Sequence, residues 1–223
     1  MDRFEKTLRK GNYLFHIHTN WTDGQSSLSE YCAVAKEMGF QSIVVLEHVR
    51  RECTYDFQDF LRMVEEERVA HQIEILVGVE AKILPNGFVD VPEAILPHVQ
   101  VLGIAEHSFQ GKIAELSHAL QLSFQHYQKI VPALVWVHPG LKLLKQLQAF
   151  KAFQETMKFA LNVGAYIEVN LRYNLPPKPF LSQTPTYRLV IGVDAHSINE
   201  VKEFGKAILD LENKIAKKDC SRI

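Results

Sequence analysis

Cysteine is scarce in this sequence, and its three copies, Cys32, Cys53 and Cys220, form no C-x-x-C pair. Neither a disulfide framework nor a cysteine-built zinc site is indicated, and a reducing compartment is expected. Long apolar runs are missing as well. None approaches the ~18 residues of a membrane span, and the charged opening MDRFEKTLRKGN lacks the apolar stretch of a secretion signal. A cytoplasmic protein with no membrane partner is therefore the expectation. A basic surplus is absent too, with 25 Lys and Arg against 26 Asp and Glu. Phosphate neutralisation supplies most of the affinity for nucleic acid, so this balance argues against nucleic acid as a partner. No Gly- or Ser-rich linker and no internal repeat divides the chain, so a single domain over residues 1–223 is expected.

What is present is an alternation. With 47% hydrophobic and 23% charged residues the chain can bury a core. Short apolar runs alternate with stretches of helical spacing. Strands are predicted at Tyr13 to Ile17, Ser42 to Leu46, Ile73 to Val79, Val99 to Ala105, Ala133 to Val137, Ala165 to Val169 and Leu189 to Val193. Helices are predicted at Leu28 to Met38, Phe57 to Ala70, Ile113 to Lys129, Leu143 to Leu161 and Asn199 to Ala216, with Gly39 and Gly164 as stops. Strands separated by helices make a parallel sheet, closed or open. The connection 171–187, with four prolines, is the one where no full helix is found.

The histidines carry the functional signal. Of ten, His16, His18, His48, His107, His138 and His196 fall at or just after the C-terminal end of a predicted strand. The other four, His71, His98, His118 and His126, fall in helices or before strands and read as surface or packing residues. In a parallel barrel all strand C-termini open on one face, where active sites gather. Glu80 and Asp194 end strands on that face, Asp23 follows the first strand in an Asp-Gly turn, and Glu47 and Glu168 also end strands. Any one of these could be a helix cap or turn residue. Together, imidazoles and carboxylates are the ligand types of Zn, Mn or Fe. Within the strand segment FHIH, residues two apart share a face, so His16 and His18 can grip one ion from one side.

The motifs HIHTNWTDG (16–24), VLEH (45–48), GVEAKILPNGFVD (78–90), GIAEHS (103–108), VHPG (137–140), IEVN (167–170) and GVDAHS (192–197) resemble, in order and spacing, the PHP superfamily. That family is named for the domain shared by bacterial DNA polymerases and histidinol phosphatases. The resemblance spans nearly the whole chain. It implies an α/β fold, a distorted (β/α)7 barrel of parallel strands, with two to three divalent metal ions at the C-terminal mouth. It also implies a division of ligands: His16, His18, Glu80 and Asp194 for the first ion, Glu80, His107 and His138 for the second, and Asp23, His48 and His196 for the third. The second strand departs from many relatives in ending Leu-Glu-His rather than Thr-Asp-His, which makes Glu47 a candidate to orient His48.

Two ions ~3.5–4 Å apart suit phosphate-ester hydrolysis, because they activate water at neutral pH and stabilise in-line displacement. Glu80, Asp194 and His196 are accordingly assigned to catalysis. Arg172 follows the sixth strand, and Arg50 and Arg51 follow His48, so all three are candidates to pair with substrate phosphate; a solvated loop arginine is the plainer account of each. Lys82 is a further candidate, whereas Arg188 precedes its strand and belongs at the far end. The expected partner is a small phosphorylated substrate, a phosphomonoester of the histidinol phosphate kind. The alternatives are a 3′–5′ exonuclease or phosphodiesterase and, in another class, a non-catalytic metal-binding domain.

Overall fold

The computed structural model describes residues 1–220, and side chains as far as residue 215; the side chain of Cys220 lies outside the described residues. Seven strands, β1 (Tyr13–Ile17), β2 (Ser42–His48), β3 (Glu74–Lys82), β4 (Val101–Ala105), β5 (Ala133–Trp136), β6 (Tyr166–Asn170) and β7 (Leu189–Ala195), close into a barrel in chain order. Every neighbouring pair is parallel, including β1 with β7. Helices α1 (Arg3–Lys10), α2 (Leu28–Met38), α3 (Phe57–His71), α4 (Ile113–Tyr127), α5 (Phe150–Asn162), the one-turn α6 (Lys178–Leu181) and α7 (Ile198–Cys220) complete it. Among the described residues no helix is long and apolar enough to cross a membrane.

Two apolar layers follow from strand alternation. Phe15, Val44, Leu46, Leu76, Val101, Val135 and Val190 fill the barrel interior, while Leu14, Ile43, Val45, Ile75 and Ile167 pack outward with the helices. Helix α1, which the periodicity did not reveal, presents Phe4 to the interior layer, its ring centroid 5.9 Å from that of Phe15 and 5.2 Å from that of Tyr166. Tyr13 and Tyr166 open their strands, so this plug closes the end opposite the strand C-termini. Helix ends obey local chemistry: Ser27 and Glu30 form a capping box on α2, and Gly39 at φ +91° ends it in the left-handed region that favours glycine.

Three expectations need correction. The predicted helix from Leu143 to Leu161 is broken: turns cover 139–147, Gln148 adopts φ +51°, and α5 begins at Phe150. The buried Leu143 and Leu144 kept the helical period running across that break. The link between β3 and β4 also lacks a full helix, holding only a single 3-10 turn at Leu96–His98, because Pro85, Pro92 and Pro97 interrupt it. Several strands run further than expected toward the mouth, β2 to His48, β3 to Lys82 and β7 to Ala195.

Candidate metal centre

The mouth is built from β1 outward. Strict alternation after the inward Phe15 would send His16 and His18 away from the interior. Instead the β1–β2 register skips between Phe15 and Ile17, and His16 adopts φ +68°, so this bulge turns both imidazoles inward. Both are fully buried. Asp194 (φ +55°) and His138 (φ +31°) are likewise left-handed, and backbone strain of this kind persists only where the surroundings impose it.

Four atoms meet at the centre. His16 Nε2 stands 3.2 Å from Glu80 Oε2 and 3.4 Å from Asp194 Oδ1. His18 Nε2 stands 3.2 Å and 3.0 Å from the same two oxygens. Ligand atoms about 2.0–2.2 Å from a tetrahedral ion lie about 3.3–3.6 Å from one another, so this cage has the dimensions of an ion's ligand shell. Two further groups adjoin it. Glu80 Oε1 lies 3.4 Å from His138 Nε2, and the His107 ring is 5.1 Å from that of His138. At the rim Asp23 Oδ2 lies 3.2 Å from His48 Nε2 and 3.5 Å from His196 Nε2. The three groups able to hold a metal ion are thus His16, His18, Glu80 and Asp194; Glu80, His107 and His138; and His18, Asp23, His48 and His196. All nine residues singled out by sequence are brought together, and His18 joins the rim group as well as the central one. The buried Nδ1 atoms of His18, His48, His107 and His138 have no hydrogen-bond partner among the described residues, so each of these rings keeps one nitrogen uncommitted.

The electrostatics agree. Burial disfavours charge on His16, yet the Glu168 and Asp194 carboxylates, with hydrogen bonds to Glu168 and Glu80, raise its pKa well above the usual value. His18 is likewise raised against burial, to about 9, by hydrogen bonds to Asp194 and Glu80. Burial would raise Glu80, but hydrogen bonds to His138, His16 and His18 pull it well below the carboxylate range. His48 is pushed down to about 4, by burial and then by the His18 and Arg50 charges, against the pull of Glu80. Anionic carboxylates therefore face imidazoles that must take up protons or share a cation.

Carboxylates behind the ligands hold them. Glu168, fully buried, accepts from His16 Nδ1 at 2.8 Å and from Asn170 Nδ2 at 3.2 Å through Oε1, and from the His138 main-chain N–H through Oε2. The first bond fixes the tautomer that leaves His16 Nε2 bare for the cage. Glu47 does not orient His48: it accepts from the Thr19 main-chain N–H at 2.9 Å and from the Thr22 hydroxyl, and so fastens the loop that carries Asp23. Its side chain turns toward the β1 loop, whose donors offset the cost of burying the carboxylate.

The arginines are placed differently from a simple clamp. Arg172 Nη1 donates to the Asp194 carbonyl at 2.7 Å and lies 3.3 Å from Glu200 Oε1. Arg50 Nη1 donates to the Glu80 carbonyl at 3.3 Å and lies 3.6 Å from Asp90 Oδ2. Arg51 is exposed, and half-buried Lys82 gives its main-chain N–H to Asp90 at 2.6 Å. Arg188 bonds the Gly164 carbonyl at the far end, as expected. His98, His118 and His126 are exposed, and His71 pairs with Ser29 and Glu67, away from the mouth. Sequence reasoning missed Tyr173, whose ring meets His138 edge-on at 5.9 Å, and Glu106, a fully buried carboxylate beside His107 that burial pushes up to about 7. A carboxylate closing the apolar run VLGIA was the available signal for Glu106.

Comparison decides the family. The sequence matches the PHP domain over residues 15–172, which contain seven of the nine residues: His16, His18, Asp23, His48, Glu80, His107 and His138. The chain belongs to the PHP family. Asp194 and His196 lie beyond the matched stretch and join the set because β7 pairs with β1. This PHP domain is 20% identical over 195 residues to the DNA polymerase/3′-5′ exonuclease PolX of Bacillus subtilis (strain 168), covering 82% of this chain and 34% of that protein. The chain thus spans about a third of the length of that relative. Its fold matches the crystal structure of histidinol phosphate phosphatase (HISK) from Lactococcus lactis subsp. lactis Il1403, complexed with zinc, L-histidinol and phosphate. The TM-score is 0.58 at 11% identity, covering 90% of this chain and 93% of that one. Family and fold together support a metal-dependent phosphoester hydrolase.

Proposed function

We propose that this chain hydrolyses a small phosphomonoester at a centre of two to three divalent ions, Mn, Zn or Fe, ligated by His16, His18, Asp23, His48, Glu80, His107, His138, Asp194 and His196. The observation that carries the reading is the buried cage of two imidazole nitrogens and two carboxylate oxygens spaced 3.0–3.4 Å apart. When bound, ions in such a cluster lower the pKa of water and neutralise charge on phosphoryl oxygens. The chain's own residues supply the rest. Glu168 accepts from His16 Nδ1 and so turns Nε2 of the ring toward the cage, Arg172 holds the main chain of Asp194, and Glu47 holds the rim loop that carries Asp23. A guanidinium has five N–H donors, so the bond from Arg172 to Asp194 leaves others for the free oxygens of a monoester. Arg50 and Arg51 stand in the loop after β2 as secondary contacts. His196 stands at the rim as a ligand, its Nδ1 3.2 Å from Arg172 Nη1, so the leaving oxygen takes its proton from water.

The likeness to the polymerase/exonuclease supports a second reading, hydrolysis of a nucleic-acid diester. The deciding experiment strips the protein with a chelator, reloads it with Mn²⁺, and offers phosphorylated metabolites alongside short oligonucleotides. Metal-dependent release of phosphate from a monoester supports the proposal. Shortening of the oligonucleotides without monoester turnover overturns it in favour of an exonuclease, and failure to cleave either by metal-loaded protein points to a non-catalytic domain.

A further inference from the structure

Glu106 immediately follows β4 and precedes His107, and it is fully buried. A buried carboxylate must be compensated, and no Lys or Arg among the described residues forms an ion pair with it. Its partners are main-chain donors. Oε1 accepts from the N–H groups of Gly140 at 2.9 Å, Lys142 at 3.1 Å and Leu143 at 3.1 Å. These donors open the turns that follow His138, where the Gly140 carbonyl accepts from Leu144 and the Lys142 carbonyl accepts from Gln146. The first N–H groups of such turns have no partner within the segment; here a carboxylate from the neighbouring strand satisfies them. Gly140 sits at φ +95°, and a Cβ there would come within 2.7 Å of Leu144 Cδ1, so the turn has little freedom to rebuild around a shifted acceptor.

The consequence concerns one group of ligands. His107 follows Glu106 in the chain, and His138 lies two residues before the first donor. Both belong to the group completed by Glu80. We propose that Glu106 is a positioning residue: a main-chain clamp that holds the His138 turn against the His107 strand and so sets the affinity of the Glu80, His107 and His138 group for its ion. The inference rests on the metal-centre reading above. It gives the length of the side chain, rather than its charge, the decisive role, because what the turn needs is an acceptor at the position of Oε1.

Two substitutions separate length from charge. Glu106→Gln keeps the length and an acceptor oxygen, whereas Glu106→Asp keeps the charge and withdraws the acceptor by one methylene. Zn²⁺ and Mn²⁺ titrations of chelator-stripped protein, without substrate, give the stepwise affinities, and His107→Ala identifies the step that belongs to this group. Glu106→Asp is expected to weaken that step about 10- to 100-fold, the usual cost of losing a residue that supports a ligand from behind, and to leave the other steps alone. Glu106→Gln should stay within about threefold of the parent, below the roughly tenfold that 1.4 kcal/mol represents. The opposite order overturns the clamp in favour of charge, and unchanged affinity in both variants overturns it altogether. Amide exchange of the intact protein serves if the Asp variant does not fold: slow exchange at Gly140, Lys142 and Leu143 supports the clamp, and fast exchange at all three removes it. If His107→Ala alters no binding step, the metal reading of this group fails and the clamp with it. A normal step in the parent that Glu106→Asp leaves untouched refutes the clamp alone.

Discussion

Gly192→Ala reaches the centre without touching a ligand. A Cβ at position 192 would overlap Glu168 Oε1 and would lie 2.9 Å from both Glu168 Cδ and Phe15 Cδ1, with both neighbours buried and unable to yield. Oε1 is the oxygen that accepts from His16 Nδ1 and Asn170 Nδ2, while Oε2 serves the main chain of His138. The methyl group therefore costs the two Oε1 bonds and can spare the third. Hydrogen bonds to charged groups contribute about 1.5–3 kcal/mol each, so a loss of about 3 kcal/mol or more is expected, at the upper end of what overpacking alone costs. His16 also loses the partner that fixes its tautomer, and metal affinity should fall about 10- to 100-fold. Urea denaturation of chelator-stripped protein measures the first quantity and metal titration the second. Glu168→Gln serves as the comparison, since it alters the same bonds without steric overlap. Stability within about 0.5 kcal/mol of the parent, the range of an ordinary surface substitution, would refute the reasoning, as would an unchanged affinity.

Three other perturbations follow from the same geometry. Glu80→Ala removes the carboxylate shared by two ligand groups, so it should lower activity and metal content more than His48→Ala, which strips only the rim group; comparable losses would show that Glu80 does not bridge. Arg172→Ala should lower kcat/KM about 10- to 150-fold, the equivalent of losing a bond worth about 1.5–3 kcal/mol, and a change under threefold on the best monoester retires the phosphate contact. Glu212, 6% exposed on α7, accepts from the Tyr13 main-chain N–H, and burial raises its carboxyl from 4.5 to about 8. The folded state then keeps a proton that the unfolded chain releases, so stability falls as pH rises from 4.5 to about 8, by at most about 5 kcal/mol. In urea midpoints Glu212→Gln should equal the parent near pH 4.5 and exceed it at pH 9, and a gap independent of pH would contradict this.

Most of the candidate ligands were legible because they stand at a strand end, where a polar residue interrupts an apolar run. His16, His18, His48, Glu80, His107, His138 and Asp194 all announce themselves in that way. What supports them was not legible, since it depends on contacts between distant strands. Nothing near Glu106 shows that its acceptors' partners lie 34 to 37 residues away, and nothing near Arg172 shows that its guanidinium turns to the Asp194 carbonyl. Glu47 was read against its chain neighbour His48, but alternation on β2 points adjacent residues to opposite faces, and Glu47 found Thr19 instead. Helix α1 went unseen because eight mostly charged residues carry one fully buried apolar side chain, Phe4, with Leu8 packed beside it, which is too little for periodicity to register. The break at Gln148 was hidden for the converse reason, as buried Leu143 and Leu144 before it and Phe153 and Met157 after it kept a helical rhythm across a left-handed residue.

The central claim, that the mouth of this barrel is a multinuclear metal centre, is tested most directly by elemental analysis of protein purified without chelator and again after reloading with Mn²⁺ or Zn²⁺. Three ligand groups meet at the mouth, two sharing Glu80 and two sharing His18, so two to three ions per chain are expected. Fewer than one ion per chain after reloading would contradict the account.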